Sequence, residues 1–126
     1  MPKKILIVDD DTDLLEVLSH SFRQAGFSTA TATNGIDALK MTRSLSPDLI
    51  VLDLMLPERD GFTVCETLRR ERVTAEVPIV MLTGLTSQFE RFVGLDSGAS
   101  DYVMKPVTPE YLLSRIELLL RDSPLG

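Results

Sequence analysis

The sequence predicts an α/β fold: a parallel β-sheet with helices on both faces. Three observations predict it. Short β-rich runs alternate with stretches of helical period. Three of the runs, Ile5-Leu6-Ile7-Val8, Leu49-Ile50-Val51-Leu52 and Ile79-Val80-Met81-Leu82, are continuously apolar, as strands covered on both faces require. The order is strand then helix throughout, which closes as a parallel sheet through right-handed crossovers.

The elements follow in order. After the first strand, Leu14, Leu18, Ser21 and Ala25 recur at helical spacing, and Gly26 is placed to stop the helix. Asp11 supplies first-turn charge or the cap, beside Thr12 and Asp13. The second strand, Ser28-Thr29-Ala30-Thr31-Ala32, is more polar and predicts a sheet edge. Asn34 caps a helix through Leu39 and Thr42 that ends before Pro47. The third strand leads to Asp60, the cap of a helix carrying Phe62, Cys65 and Leu68. After the fourth strand, Ser87 and Glu90 have capping-box spacing for a helix ending near Gly98. The fifth strand is Tyr102-Val103-Met104. Thr108-Pro109-Glu110 then gives the cap, first-position proline and first-turn acid of a last helix through Leu112, Ile116 and Leu119.

The chain has 126 residues, about one domain at ~100–200 residues per domain. Residues 1–122 form that domain, with 123–126 as a tail or the start of a linker. Apolar residues are 44% and charged residues 25%, which excludes disordered and collagen-like classes. No apolar run approaches the ~20 residues that span a bilayer, and the N-terminus lacks the apolar stretch of a signal peptide. A cytoplasmic location is expected, with no membrane contact. Thirteen basic against nineteen acidic residues leave a net charge of −6, against nucleic-acid binding by this domain. The single cysteine, Cys65, cannot close an internal disulfide, and the single histidine, His20, excludes a multi-histidine site.

In open α/β sheets, ligands bind beyond the carboxyl ends of the strands. Asp9-Asp10-Asp11 follows the first strand, Asp53 the third, Thr83 the fourth and Lys105-Pro106 the fifth. Neighbouring strands would bring these groups to one edge. Carboxylates a few ångströms apart repel, and a divalent cation relieves this. Oxygen ligands without His or Cys favour Mg²⁺ over zinc. A hydroxyl and an ammonium add donors for phosphoryl oxygens. An aspartate in such a site can attack a phosphoryl group to give an acyl phosphate.

The ordered set Ile7-Val8-Asp9-Asp10, Leu52-Asp53-Leu54-Met55-Leu56-Pro57, Asp60-Gly61, Thr83-Gly84, Gly98-Ala99-Ser100-Asp101-Tyr102 and Lys105-Pro106 resembles the receiver domain of two-component response regulators. In the Met-Leu-Pro after Asp53 it is closest to receivers of winged-helix transcription regulators. The resemblance runs from Lys4 to Arg121. It implies a flavodoxin-like (βα)5 fold with strand order 2-1-3-4-5. Asp53 would be the phosphoacceptor, loaded by a sensor histidine kinase or a histidine phosphotransfer protein. Asp10, Asp53 and the Met55 carbonyl would hold Mg²⁺, with Mn²⁺ as a substitute, and Asp9 would act through the metal's water. Thr83 would bind the phosphoryl oxygen. Lys105 would pair with the phosphoryl group or, before it arrives, with Asp53. Tyr102 would switch rotamer, and the peptide before Pro106 would be cis. The product is a signalling switch rather than an enzyme, although it would catalyse its own phosphoryl transfer and slow dephosphorylation. Apolar Met55 and Leu85 would exclude water and slow that loss.

The output face implied by the family joins the fourth helix, fifth strand and fifth helix, and can form a homodimer. Phe92, Leu95 and Leu113 would supply its apolar patch, with Asp101 and Arg115 as a rim pair. Tyr111 stands where an acid would pair with Arg91. Glu117 would set an acid against Asp96, which is costly across an interface, and Asp122 replaces a base. The Glu58-Arg59 pair occupies a loop position where many relatives have glycine.

Other classes fit less well. A haloacid-dehalogenase-type phosphatase needs a second acid where Met55 stands. A flavin-binding flavodoxin-type domain would have its phosphate repelled by Asp9-Asp10-Asp11. A degenerate receiver, acting as a phosphorylation-independent binding module, usually lacks a site residue, and none is missing here.

Overall fold

The computed structural model describes residues 2–58, 60–84 and 98–122. The elements are β1 (Lys4–Val8), α1 (Thr12–Gln24), β2 (Ser28–Ala32), α2 (Gly35–Leu45), β3 (Leu49–Asp53), α3 (Gly61–Arg70), β4 (Ile79–Thr83), β5 (Asp101–Met104) and α4 (Pro109–Asp122). The helix expected between Ser87 and Gly98 lies outside the described residues, as do Arg59, Leu85, Arg91, Phe92, Leu95 and Asp96. Helix α4 is therefore the fifth helix of the sequence's order.

All five strands are parallel, in the order β2-β1-β3-β4-β5. Successive side chains of a strand point to opposite faces, so each apolar run feeds two cores. Leu6, Val8, Ile50, Leu52, Ile79 and Met81 pack with Ala38 and Leu39 of α2 and Val64, Cys65 and Leu68 of α3. Ile5, Ile7, Leu49, Val51, Val80 and Leu82 pack with Leu15, Leu18 and Phe22 of α1 and Leu112 and Ile116 of α4. Continuous apolarity along β1, β3 and β4 follows from this double burial. The milder β2 is one of the two edge strands, with β5 at the other.

Side-chain caps hold the helix starts. Asp11 accepts from the amides of Asp13 and Leu14 and caps α1. Asn34 caps α2 through the Asp37 amide, and Asp60 caps α3 through that of Thr63. Thr108 Oγ1 accepts from the Tyr111 amide at the start of α4. Gly26, at φ +100°, carries the chain out of α1, a conformation in which an L side chain is strained. The helical spacing of Leu14, Leu18, Ser21 and Ala25 is met by α1 and its C-cap; the buried residues of the helix are Leu15, Leu18, Ser19 and Phe22, with Leu14 packed partly buried against the same core. Phe22 is the largest apolar group the helix offers, and burying it turns the helix toward its own side.

Candidate phosphoacceptor site

The three-aspartate run divides by position. Asp9 follows β1 directly and is fully buried, its amide held by the Ala32 carbonyl at 3.1 Å. Its Oδ1 accepts from the Asp11 amide at 2.9 Å. Asp10 is exposed. Asp11 turns away as the α1 cap. The residue after β1 thus points into the fold and the next points to solvent, because the chain leaves the sheet there.

Asp53 ends β3, nearly buried, in register with Leu82 of β4. The Met55 amide donates to its Oδ1 at 3.3 Å. Carboxylate oxygens of Asp9, Asp10 and Asp53 all lie within 4.8 Å of one another. Thr83, fully buried, ends β4 opposite Met104 of β5. Its carbonyl accepts from the Lys105 amide at 2.6 Å, and the Lys105–Pro106 peptide is cis.

The Lys105 ammonium lies 2.8 Å from Asp9 Oδ2 and 3.5 Å from Asp53 Oδ2. The expected resting pair with Asp53 is present, and Asp9 is a second and nearer partner. Asp9 has no solvent to share its charge, so the cation settles closest to it. The sequence reading gave Asp9 only a role through water. Its place directly after an apolar strand was the signal that it also anchors the lysine.

Burial, and then the charge of Asp9, raise the Asp53 carboxyl to about 6, although Lys105 opposes them. Burial would lower the Lys105 ammonium, but its bond to Asp9 and the charge of Asp53 outweigh that and raise it above the ordinary lysine value. One ammonium therefore does not neutralise the three carboxylates. A small hard dication meets the donor set, since all the donors are oxygens and one carboxylate is already held unfavourably as an anion.

Gly61 opens α3 directly under this site. A Cβ there would stand 2.5 Å from the Asp53 carbonyl oxygen and 2.8 Å from Leu54 Cα. Only glycine lets the helix start this close to β3, and sequence reading offered no sign of the contact. Tyr102 is buried, and its hydroxyl has no hydrogen-bond partner among the described residues. Asp101 and Arg115 form an ion pair within the chain, Oδ2 to Nε 2.6 Å. The pair expected at the rim of an interface is already closed inside one molecule, because β5 and α4 set its two members side by side. Arg91, Phe92 and Leu95 of the expected output face lie outside the described residues.

A parallel sheet of this order, with acids after β1, an acid ending β3, a hydroxyl ending β4 and a lysine after β5, defines the receiver class. The chain belongs to the response regulator receiver domain family, whose sequence profile matches residues 5–117. It is 46% identical over 121 residues to RpaA of Synechocystis sp., a DNA-binding dual master transcriptional regulator. It is 41% identical over 126 residues to PhoP of Bacillus subtilis, an alkaline phosphatase synthesis transcriptional regulatory protein. These alignments cover 96% and 100% of this chain. The chain spans about half the length of both relatives, 50% and 52%. Among solved structures, a response regulator from Chloroflexus aurantiacus superposes with a TM-score of 0.91 at 35% identity, over 97% of this chain and 100% of that one. The BeF3-activated N-terminal receiver domain of Klebsiella pneumoniae RstA gives 0.88 at 35%, over 95% and 100%. No described helix is long and apolar enough to cross a membrane.

Proposed function

We propose that Asp53 accepts a phosphoryl group from the phosphohistidine of a histidine kinase or phosphotransfer protein, in a Mg²⁺-dependent reaction. The observation that carries this reading is Asp53 itself: a buried carboxylate at a strand end, against two further acids and one lysine. Asp10, Asp53 and the Met55 carbonyl would hold the ion, with Asp9 on its water shell. Bound there, Mg²⁺ supplies charge neutralisation for the carboxylates and the incoming phosphoryl oxygens.

The chain's own groups do the rest. An Asp53 oxygen attacks phosphorus in line, and the bond to the donor imidazole breaks as the acyl phosphate forms. Lys105, already held between Asp9 and Asp53, transfers its charge to a phosphoryl oxygen. The Thr83 hydroxyl donates to another. Tyr102, buried in β5, follows Thr83. The face of β5 and α4 that carries Asp101, Leu113 and Arg115 passes the change to a partner. Signalling rather than turnover is the output.

The test is incubation with acetyl phosphate and Mg²⁺, read by intact mass, beside Asp53→Asn. A gain of one phosphoryl group, absent in the variant and abolished by a chelator, supports the reading. A folded protein that gains none is instead a phosphorylation-independent binding module.

A further inference from the structure

Of the methionines, Met81 is fully buried and Met41 is partly buried. Met55 is 63% exposed and Met104 49%. Both exposed methionines are close in the chain to a site residue. Met55 stands two residues after Asp53 and donates its amide to that carboxylate. Met104 immediately precedes Lys105, but it lines a separate hollow with Val103, Val107 and Tyr111. Core packing does not require a thioether at position 55, since most of the side chain faces water.

We propose that Met55 is a site of reversible oxidation by peroxides, and that its sulfoxide shortens the life of the phosphoryl group on Asp53. The proposal rests on the phosphoacceptor reading above. In the reaction the peroxide O–O bond breaks and one oxygen bonds to Met55 Sδ. The thioether is oxidised to the sulfoxide, and hydrogen peroxide is reduced to water. The step needs an accessible side chain, and Met55 is among the exposed large apolar residues.

The consequence follows from polarity. The Met55 amide bonds the Asp53 carboxylate, so its side chain starts next to the acyl phosphate and, being apolar, gives an attacking water nothing to hold. A sulfoxide oxygen is a strong hydrogen-bond acceptor at the same place, and a water held there is positioned for attack. One such bond is worth about fivefold in the rate of phosphoryl loss.

The experiment uses the whole chain, loaded with acetyl phosphate and Mg²⁺, before and after hydrogen peroxide, with peptide mapping to place the added oxygen. Met55→Leu and Met104→Leu are each compared with themselves, treated and untreated. Oxygen on Met55, loss of phosphoryl about fivefold faster, no such response in Met55→Leu, an intact response in Met104→Leu and reversal by methionine sulfoxide reductase would establish it. Unmodified Met55, or an oxidised Met55 with an unchanged phosphoryl lifetime, would overturn it. A protein that takes no phosphoryl group before peroxide fails the earlier reading, and this proposal with it.

Discussion

Burial, and then the charge of Asp9, raise the Asp53 carboxyl from 3.8 to about 6. The folded state therefore favours the protonated acid. That contribution is complete below the unfolded value and is lost as pH rises through 6. Asp53→Asn removes the anion, so without metal it should stabilise the protein at pH 7.5 by roughly 1–2 kcal/mol after solvent screening. Thermal melts of both proteins from pH 4 to 8 should show the gap opening between 4 and 6. A constant gap would contradict this. Glu58 offers a second residue-scale prediction. It sits at φ +74°, where a side chain costs about 1–2 kcal/mol and glycine costs little. This explains why glycine suits the position. Glu58→Gly should stabilise by about 0.5–1 kcal/mol, the strain relieved less the extra entropy of the unfolded chain; urea denaturation would measure it.

At the scale of elements, junctions matter more than interiors. Helix α3 begins with Gly61 against the β3 backbone, and the Gly61 amide donates to the Leu54 carbonyl at 2.9 Å. The close atoms are backbone, which cannot swing aside. Gly61→Ala should cost roughly 1–3 kcal/mol, as overpacking does, and should also slow phosphoryl uptake by displacing Asp53. Urea denaturation together with the acetyl phosphate assay would check both. Unimpaired uptake with lost stability would separate the strain from the site. Across the molecule's opposite end, Arg69 of α3 donates to the Gly98 carbonyl at 2.8 Å and reaches Ser100 Oγ. Ser100 Oγ in turn accepts from the Ile79 amide. This clasp joins the end of α3 to the starts of β4 and β5. Nothing in the local sequence signals it, because its members are 29 and 31 residues apart.

On the whole-molecule scale, the two cores hold the strand ends level, so an ion bound there should stabilise the entire fold. Millimolar Mg²⁺ should raise the melting temperature by about 3–5 °C, and Asp53→Asn should blunt the rise. Scanning calorimetry with Mg²⁺ and with a chelator would show it; equal shifts in both proteins would remove Asp53 from the ion's ligands. Much of this molecule was legible in the chain alone. Runs of four apolar residues can be satisfied only between two layers, and caps such as Asp11, Asn34 and Asp60 act over three or four residues, so local order carried strands, helix starts and the sheet's class. The convergence of Asp9, Asp53, Thr83 and Lys105 was legible because each stands at the carboxyl end of a strand or just beyond it. Tertiary structure alone decided that Lys105 lies nearer Asp9 than Asp53, that Asp101 closes on Arg115 within one chain, and that Gly61 has no room for a Cβ. These are distances between groups far apart in sequence. The twist and stacking of the packed sheet set them, and no local pattern encodes that geometry.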